Sequence, residues 1–118
     1  MASKFVNALN RFIAGCPYIV SLQDLVTKTW VTLEKEYIFD LYYNETLGKY
    51  AYTLIWRNQR VVGWDNAPHH PHLVNFPHHF HAEDGTIQAS TLNGDPEQDM
   101  AQIIEAINAI LSGSNSSP

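Results

Sequence analysis

From Tyr18 to Trp64 the chain follows the two-residue period of a sheet, and at both ends it follows the longer period of a helix. Near the start, Phe5, Leu9, Phe12 and Ile13 recur at helical spacing behind Ser3, a capping residue type; Gly15 and Pro17 end the run. The segments 18–22, 29–33 and 37–43 are β-branched and aromatic, which predicts strands. In 50–56, bulky Tyr50, Tyr52, Leu54 and Trp56 alternate with Ala51, Thr53 and Ile55. Gly48 supplies a positive φ in the connection before it, and Asn58-Gln59 turns the chain into 60–65. At least the last three of these strands therefore form an antiparallel meander.

Downstream, His79-Phe80-His81 re-enters extended structure and 86–90 is a further short strand candidate. Asp95-Pro96-Glu97-Gln98 is a helix start, with Asp as cap, Pro at the first position and Gln three residues after the cap. Met100, Ile103, Ile104, Ile107, Ile110 and Leu111 then share one face, as packing against a sheet requires. The prediction is one α+β domain over residues 1–112: an antiparallel meander of about five to six strands packed with N- and C-terminal helices. Residues 113–118 are expected to be a disordered tail.

Composition narrows the function classes. No apolar stretch approaches the roughly 18 residues that span a bilayer, and Asn7, Asn10 and Arg11 interrupt any signal-peptide core. Cys16 is the only cysteine, so no internal disulfide forms, and a cytoplasmic location is the economical expectation. It is expected half-buried at a helix end, without a chemical role. A formal charge of −5 with seven Lys and Arg disfavours broad capture of duplex nucleic acid. Arg57 and Arg60 are the arginines nearest the one concentrated feature that remains.

That feature is a histidine run. All six histidines lie in residues 69–81, between Pro68 and Ala82. Pro68, Pro71 and Pro77 make the first half a loop, whereas His79 and His81 share one face of an extended segment. Imidazole gives and takes protons near neutral pH and is the commonest metal ligand. Cleaving RNA needs a base for the 2′-hydroxyl, an acid for the leaving oxygen and a cation for the developing charge. His79 and His81 are the candidate pair, Asp65 orients one imidazole, and Arg57 or Arg60 supplies the cation. No cofactor is called for, since the spacing fits no established zinc signature; a metal, if held, falls to His79, His81 and Asp65. Asp65-Asn66-Ala67-Pro68 is also ordinary turn chemistry, and a purely structural role for Asp65 stays open. The aromatics Trp30, Tyr42, Tyr50, Tyr52, Trp56 and Trp64 are expected mainly in the core, with base stacking on an open sheet face as the alternative.

Two segments carry a more specific signal: Trp64-Asp65-Asn66-Ala67-Pro68-His69-His70 and Phe76-Pro77-His78-His79-Phe80-His81. With Tyr50-Ala51-Tyr52 before them and the helix from Met100 to Leu111 after, they resemble the TumE-like toxins of type II toxin–antitoxin pairs over roughly residues 29 to 111. The resemblance implies a growth-inhibiting toxin, neutralised by an antitoxin that often carries a helix-turn-helix domain. Its matched positions are Asp65, Asn66, His69, His70, His79 and His81, with Asn66, His69, His70 and Arg60 assigned to binding. One departure stands out: a basic residue is expected two places before Asp65, and the chain has Gly63. Arg57 or Arg60 would have to fill that space, or the protein is a degenerate toxin kept for its complex. From another class comes a non-enzymatic binding protein whose histidine loop is an interaction or metal-responsive surface. An exposed sheet edge leaves a dimer open.

Overall fold

The computed structural model describes residues 3–113. Helix α1 (Lys4–Gly15) begins where Ser3 Oγ accepts the Val6 amide at 3.1 Å. Ala8 and Phe12 are buried with Phe5 and Leu9 beside them, but Ile13 is 45% exposed. It lies about 90° round the helix from that stripe, at roughly 100° per residue. Seven strands follow: β1 (Ile19–Asp24), β2 (Thr29–Leu33), β3 (Tyr37–Asn44), β4 (Lys49–Trp56), β5 (Gln59–Asp65), β6 (His79–His81) and β7 (Ile87–Ala89). They form one sheet in sequence order, every neighbour antiparallel. The meander thus extends to all seven strands, beyond the expected five to six. β6 and β7 have three residues each, too few for a period to be counted.

Helix α2 (Pro96–Leu111) starts at Asp95, whose Oδ1 accepts the Glu97 amide at 3.0 Å. Gln98 does not reach back to the cap. It accepts the Asn93 side-chain amide, and Asp99 instead takes the backbone amides of Asn93 and Gly94 at 3.0 and 2.9 Å. The two helices run side by side in the same direction. Lys4 meets Asp95 at their starts, and Asn108 donates to the Gly15 carbonyl at their ends.

Alternation divides the sheet into two faces. Val31, Leu33, Phe39, Leu41, Tyr50, Tyr52, Leu54, Val62 and Trp64 join Met100, Ile103, Ile107 and Leu111 in the core under the helices. Trp30, Asp40, Thr53, Gly63 and His81 are successive register partners on the other face. Beside them runs a second row, Tyr42, Ala51, Asp65, His79 and Ala89. The aromatics sort accordingly: Tyr50, Tyr52 and Trp64 are core, while Trp30 and Tyr42 stand half-buried on the open face. Trp56, at the far hairpin, is 37% exposed and donates to the Lys35 carbonyl. Cys16 is buried more fully than expected, at 4%, and burial pushes its thiol above the ordinary value. Gly113 ends the described residues in a turn; the tail expected after it lies outside them.

Candidate functional site

At the end of β5, Asp65 is paired with His79, and β6 brings His81 next along the same face. The carboxylate lies between two imidazoles: Oδ1 is 3.0 Å from His79 Nε2, and Oδ2 is 2.9 Å from His81 Nε2. Asp65 Oδ1 also accepts the Ala67 amide at 2.9 Å. The turn role and the histidine-orienting role of Asp65 are therefore the same geometry. A single-residue shift of β6 would turn both imidazoles to the opposite face, so the β5–β6 register assembles the site.

The two imidazoles are not equivalent. His79 is 2% exposed, and its Nδ1 donates to the Pro77 carbonyl at 3.1 Å. Both of its nitrogens are occupied. His81 is bound through Nε2 alone, and among the described residues its Nδ1 has no hydrogen-bond partner. Burial lowers the His81 pKa from its ordinary value; the Asp65 hydrogen bond opposes this, and the Arg60 charge lowers it further. A neutral His81 with its proton on Nε2 turns a lone pair outward from Nδ1. That arrangement suits a proton acceptor.

The arginines separate. Arg57 sits in the β4–β5 turn, paired with Glu36 at 2.9 Å and stacked on Trp56, away from the imidazoles. Its guanidinium is held at the β4–β5 turn, the opposite end of β5 from Asp65. Arg60 is the one near the site. Its Cδ is 3.3 Å from where a Cβ on Gly63 would stand, and Gly63 pairs directly with His81. The side chain missing at Gly63 leaves the space that Arg60 covers, and its charge acts on His81.

Residues 66–78 form the loop above these groups. Asn66 accepts the Tyr50 amide and donates to the Gly48 carbonyl, so its amide joins the loop to the β3–β4 hairpin rather than facing outward. His70 packs edge-on against His79 with ring centres 4.8 Å apart, and His69 and His72 flank it. Partial burial and then the neighbouring His79, His72 and His69 lower the His70 pKa. His69 lines a cleft of about 440 Å³ with Tyr42, Lys49, Ala51, Asp65 and Pro68. A hollow of about 370 Å³ between Trp64, Phe80 and α2 lies behind the sheet and contains no imidazole.

Sequence reasoning missed three supports. Asn75, at φ +67°, donates to the carbonyls of Ser90 and Leu92 and ties the loop to the strand-to-helix connection. His78 turns behind the sheet, where Nδ1 meets Tyr50 Oη at 2.9 Å and the ring approaches Gly94. Pro77 supplies the carbonyl that orients His79. Asn and an X-Pro step are turn signals, but the partners of Asn75 lie 15 and 17 residues on, whereas the Pro77 carbonyl meets His79 two residues on.

The family model described as Toxin TumE matches residues 14–111, most of the chain. Comparisons with curated proteins and with solved structures returned no match. No described helix is long and apolar enough to cross a membrane.

Proposed function

The chain belongs to the TumE toxin family, and from that premise we propose that it arrests growth by metal-free, histidine-dependent cleavage of RNA. The observation that carries the reading is the carboxylate shared by two imidazoles, one fully occupied and the other with a free nitrogen. His81 Nδ1 takes the proton of a ribose 2′-hydroxyl. The 2′-oxygen bonds to phosphorus as the P–O5′ bond breaks, and His69 of the loop, in its imidazolium form, returns a proton to O5′. The products are a 2′,3′-cyclic phosphate and a 5′-hydroxyl. Arg60 offsets charge on the phosphoryl oxygens, and Asp65 and His79 are positioning residues that hold the His81 ring. The family implies an antitoxin partner that blocks this face, with a helix-turn-helix domain as the expected type.

Induced expression tests the reading. Wild-type protein and Arg57→Ala are expected to arrest growth alike, whereas His81→Gln is expected to be tolerated at equal protein level. Equal toxicity of His81→Gln and wild type would overturn the assignment.

A second reading, a binding surface without catalysis, draws on the exposed imidazoles of His69 and His72. It predicts a protein that binds its partner but leaves RNA intact.

A further inference from the structure

The surroundings of His79 raise a question about what lies between it and Asp65. The Pro77 carbonyl can only accept, so His79 Nδ1 carries a proton. In the neutral ring, Nε2 then presents a lone pair, and it faces a carboxylate oxygen 3.0 Å away in a pocket that leaves the residue 2% exposed. Lone pair against carboxylate is repulsive unless a cation lies between them. A second ring proton is one such cation; a metal ion is the other. A backbone carbonyl fixing the far nitrogen is the usual outer support of a metal-binding histidine.

The donor set agrees. One oxygen of Asp65 and one nitrogen each of His79 and His81 lie within 4.8 Å of one another. The two short edges run to different oxygens, His79 Nε2 to Oδ1 at 3.0 Å and His81 Nε2 to Oδ2 at 2.9 Å. They are shorter than the roughly 3.4 Å between ligands that each stand about 2.1 Å from a tetrahedral ion, so the side chains part slightly as an ion enters. Two imidazoles and a carboxylate suit a borderline divalent cation. Side-chain exposures of 14% for His81 and 21% for Asp65 leave the site open to solvent on one side.

We infer that Asp65, His79 and His81 form a site for one divalent ion of the Zn²⁺ class, and that this ion and the proton chemistry proposed above exclude each other. The exclusion rests on that catalytic reading and follows from tautomerism. A metal on His81 Nε2 leaves the ring's proton on Nδ1, so the nitrogen that would accept the 2′-hydroxyl proton has no lone pair. Ion binding is therefore a way to silence the site.

The test uses the full chain stripped with EDTA and then titrated with Zn²⁺, and separately with Co²⁺ as a spectroscopic probe. The inference expects one equivalent bound, a raised thermal midpoint and visible Co²⁺ absorption. His69→Ala/His72→Ala, which removes exposed loop imidazoles, should retain all three; His81→Gln and Asp65→Asn should each lose them. No uptake would overturn the site, as would uptake lost in the loop variant but kept in His81→Gln. RNA cleavage is measured in parallel. Loss of cleavage as Zn²⁺ fills the site supports the exclusion, and undiminished cleavage by the filled protein overturns it. Cleavage that requires the ion would instead sink the metal-free reading and leave the binding site standing.

Discussion

The two faces of the sheet carry the same kinds of group to different ends. Behind the sheet, His78 meets Tyr50 Oη, and buried Asp99 caps the backbone of Asn93 and Gly94. On the open face, Asp65 meets His79 and His81. Each set has a carboxylate, at least one imidazole and low exposure. Burial raises the pKa of Asp99 and of Tyr50 and lowers that of His78, in each case working against the charged form. Among the described residues, His78 Nε2 and His81 Nδ1 both have no hydrogen-bond partner. The open face differs in its pairing: one carboxylate joins two imidazoles there, and the Arg60 charge acts on His81. Adjacent residues of one strand entry, His78 and His79, thus have unrelated roles because alternation sends them to opposite faces.

Three substitutions sharpen that contrast. The largest of these three effects is expected at Arg60, where Arg60→Ala should slow RNA cleavage by about 10²-fold, the scale for removing one group that stabilises developing charge. Adding Gly63→Arg to that variant should restore part of the rate, since the new side chain enters the space Arg60 vacates. Unchanged cleavage by Arg60→Ala would remove Arg60 from the site. Next comes His78→Ala, which deletes the partner of a buried Tyr50 hydroxyl. It should cost about 1–3 kcal/mol in denaturant unfolding and leave cleavage per folded molecule intact. A specific rate loss with full stability would contradict the division of the faces. The smallest effect belongs to Tyr52→Phe. Among the described residues the buried Tyr52 hydroxyl has no hydrogen-bond partner, so its removal should be neutral or stabilising, by up to about 1 kcal/mol. A clear destabilisation would mean that the hydroxyl has a partner after all.

Much of this architecture was legible from periodicity and caps. Ser3 and Asp95 cap the helices as their residue types predict, and the long strands follow the alternation of Tyr50, Tyr52 and Leu54. The short strands β6 and β7 were less so, because three residues pair through neighbours supplied from elsewhere in the chain. Within the histidine run, the His-x-His spacing put His79 and His81 on one face. It gave no sign that His79 would be enclosed or that His78 would join Tyr50. Asn75 ties the loop to Ser90 and Leu92, partners far outside its own turn that its residue type does not announce. The arginines were the least readable. Arg57 and Arg60 are three residues apart, and only the turn between β4 and β5 sends one to Glu36 and the other over Gly63.

The central claim is that a free imidazole nitrogen, and not the number of histidines, gives this site its chemistry. It is tested most directly by incubating purified protein with a defined RNA oligonucleotide in EDTA and identifying the new ends. The account predicts 2′,3′-cyclic phosphate and 5′-hydroxyl products from the wild type, with the rate reduced by about 10²–10⁴-fold in His81→Gln at unchanged thermal stability. Cleavage by folded His81→Gln at the wild-type rate, or 5′-phosphate products formed only when a metal is added, would contradict it.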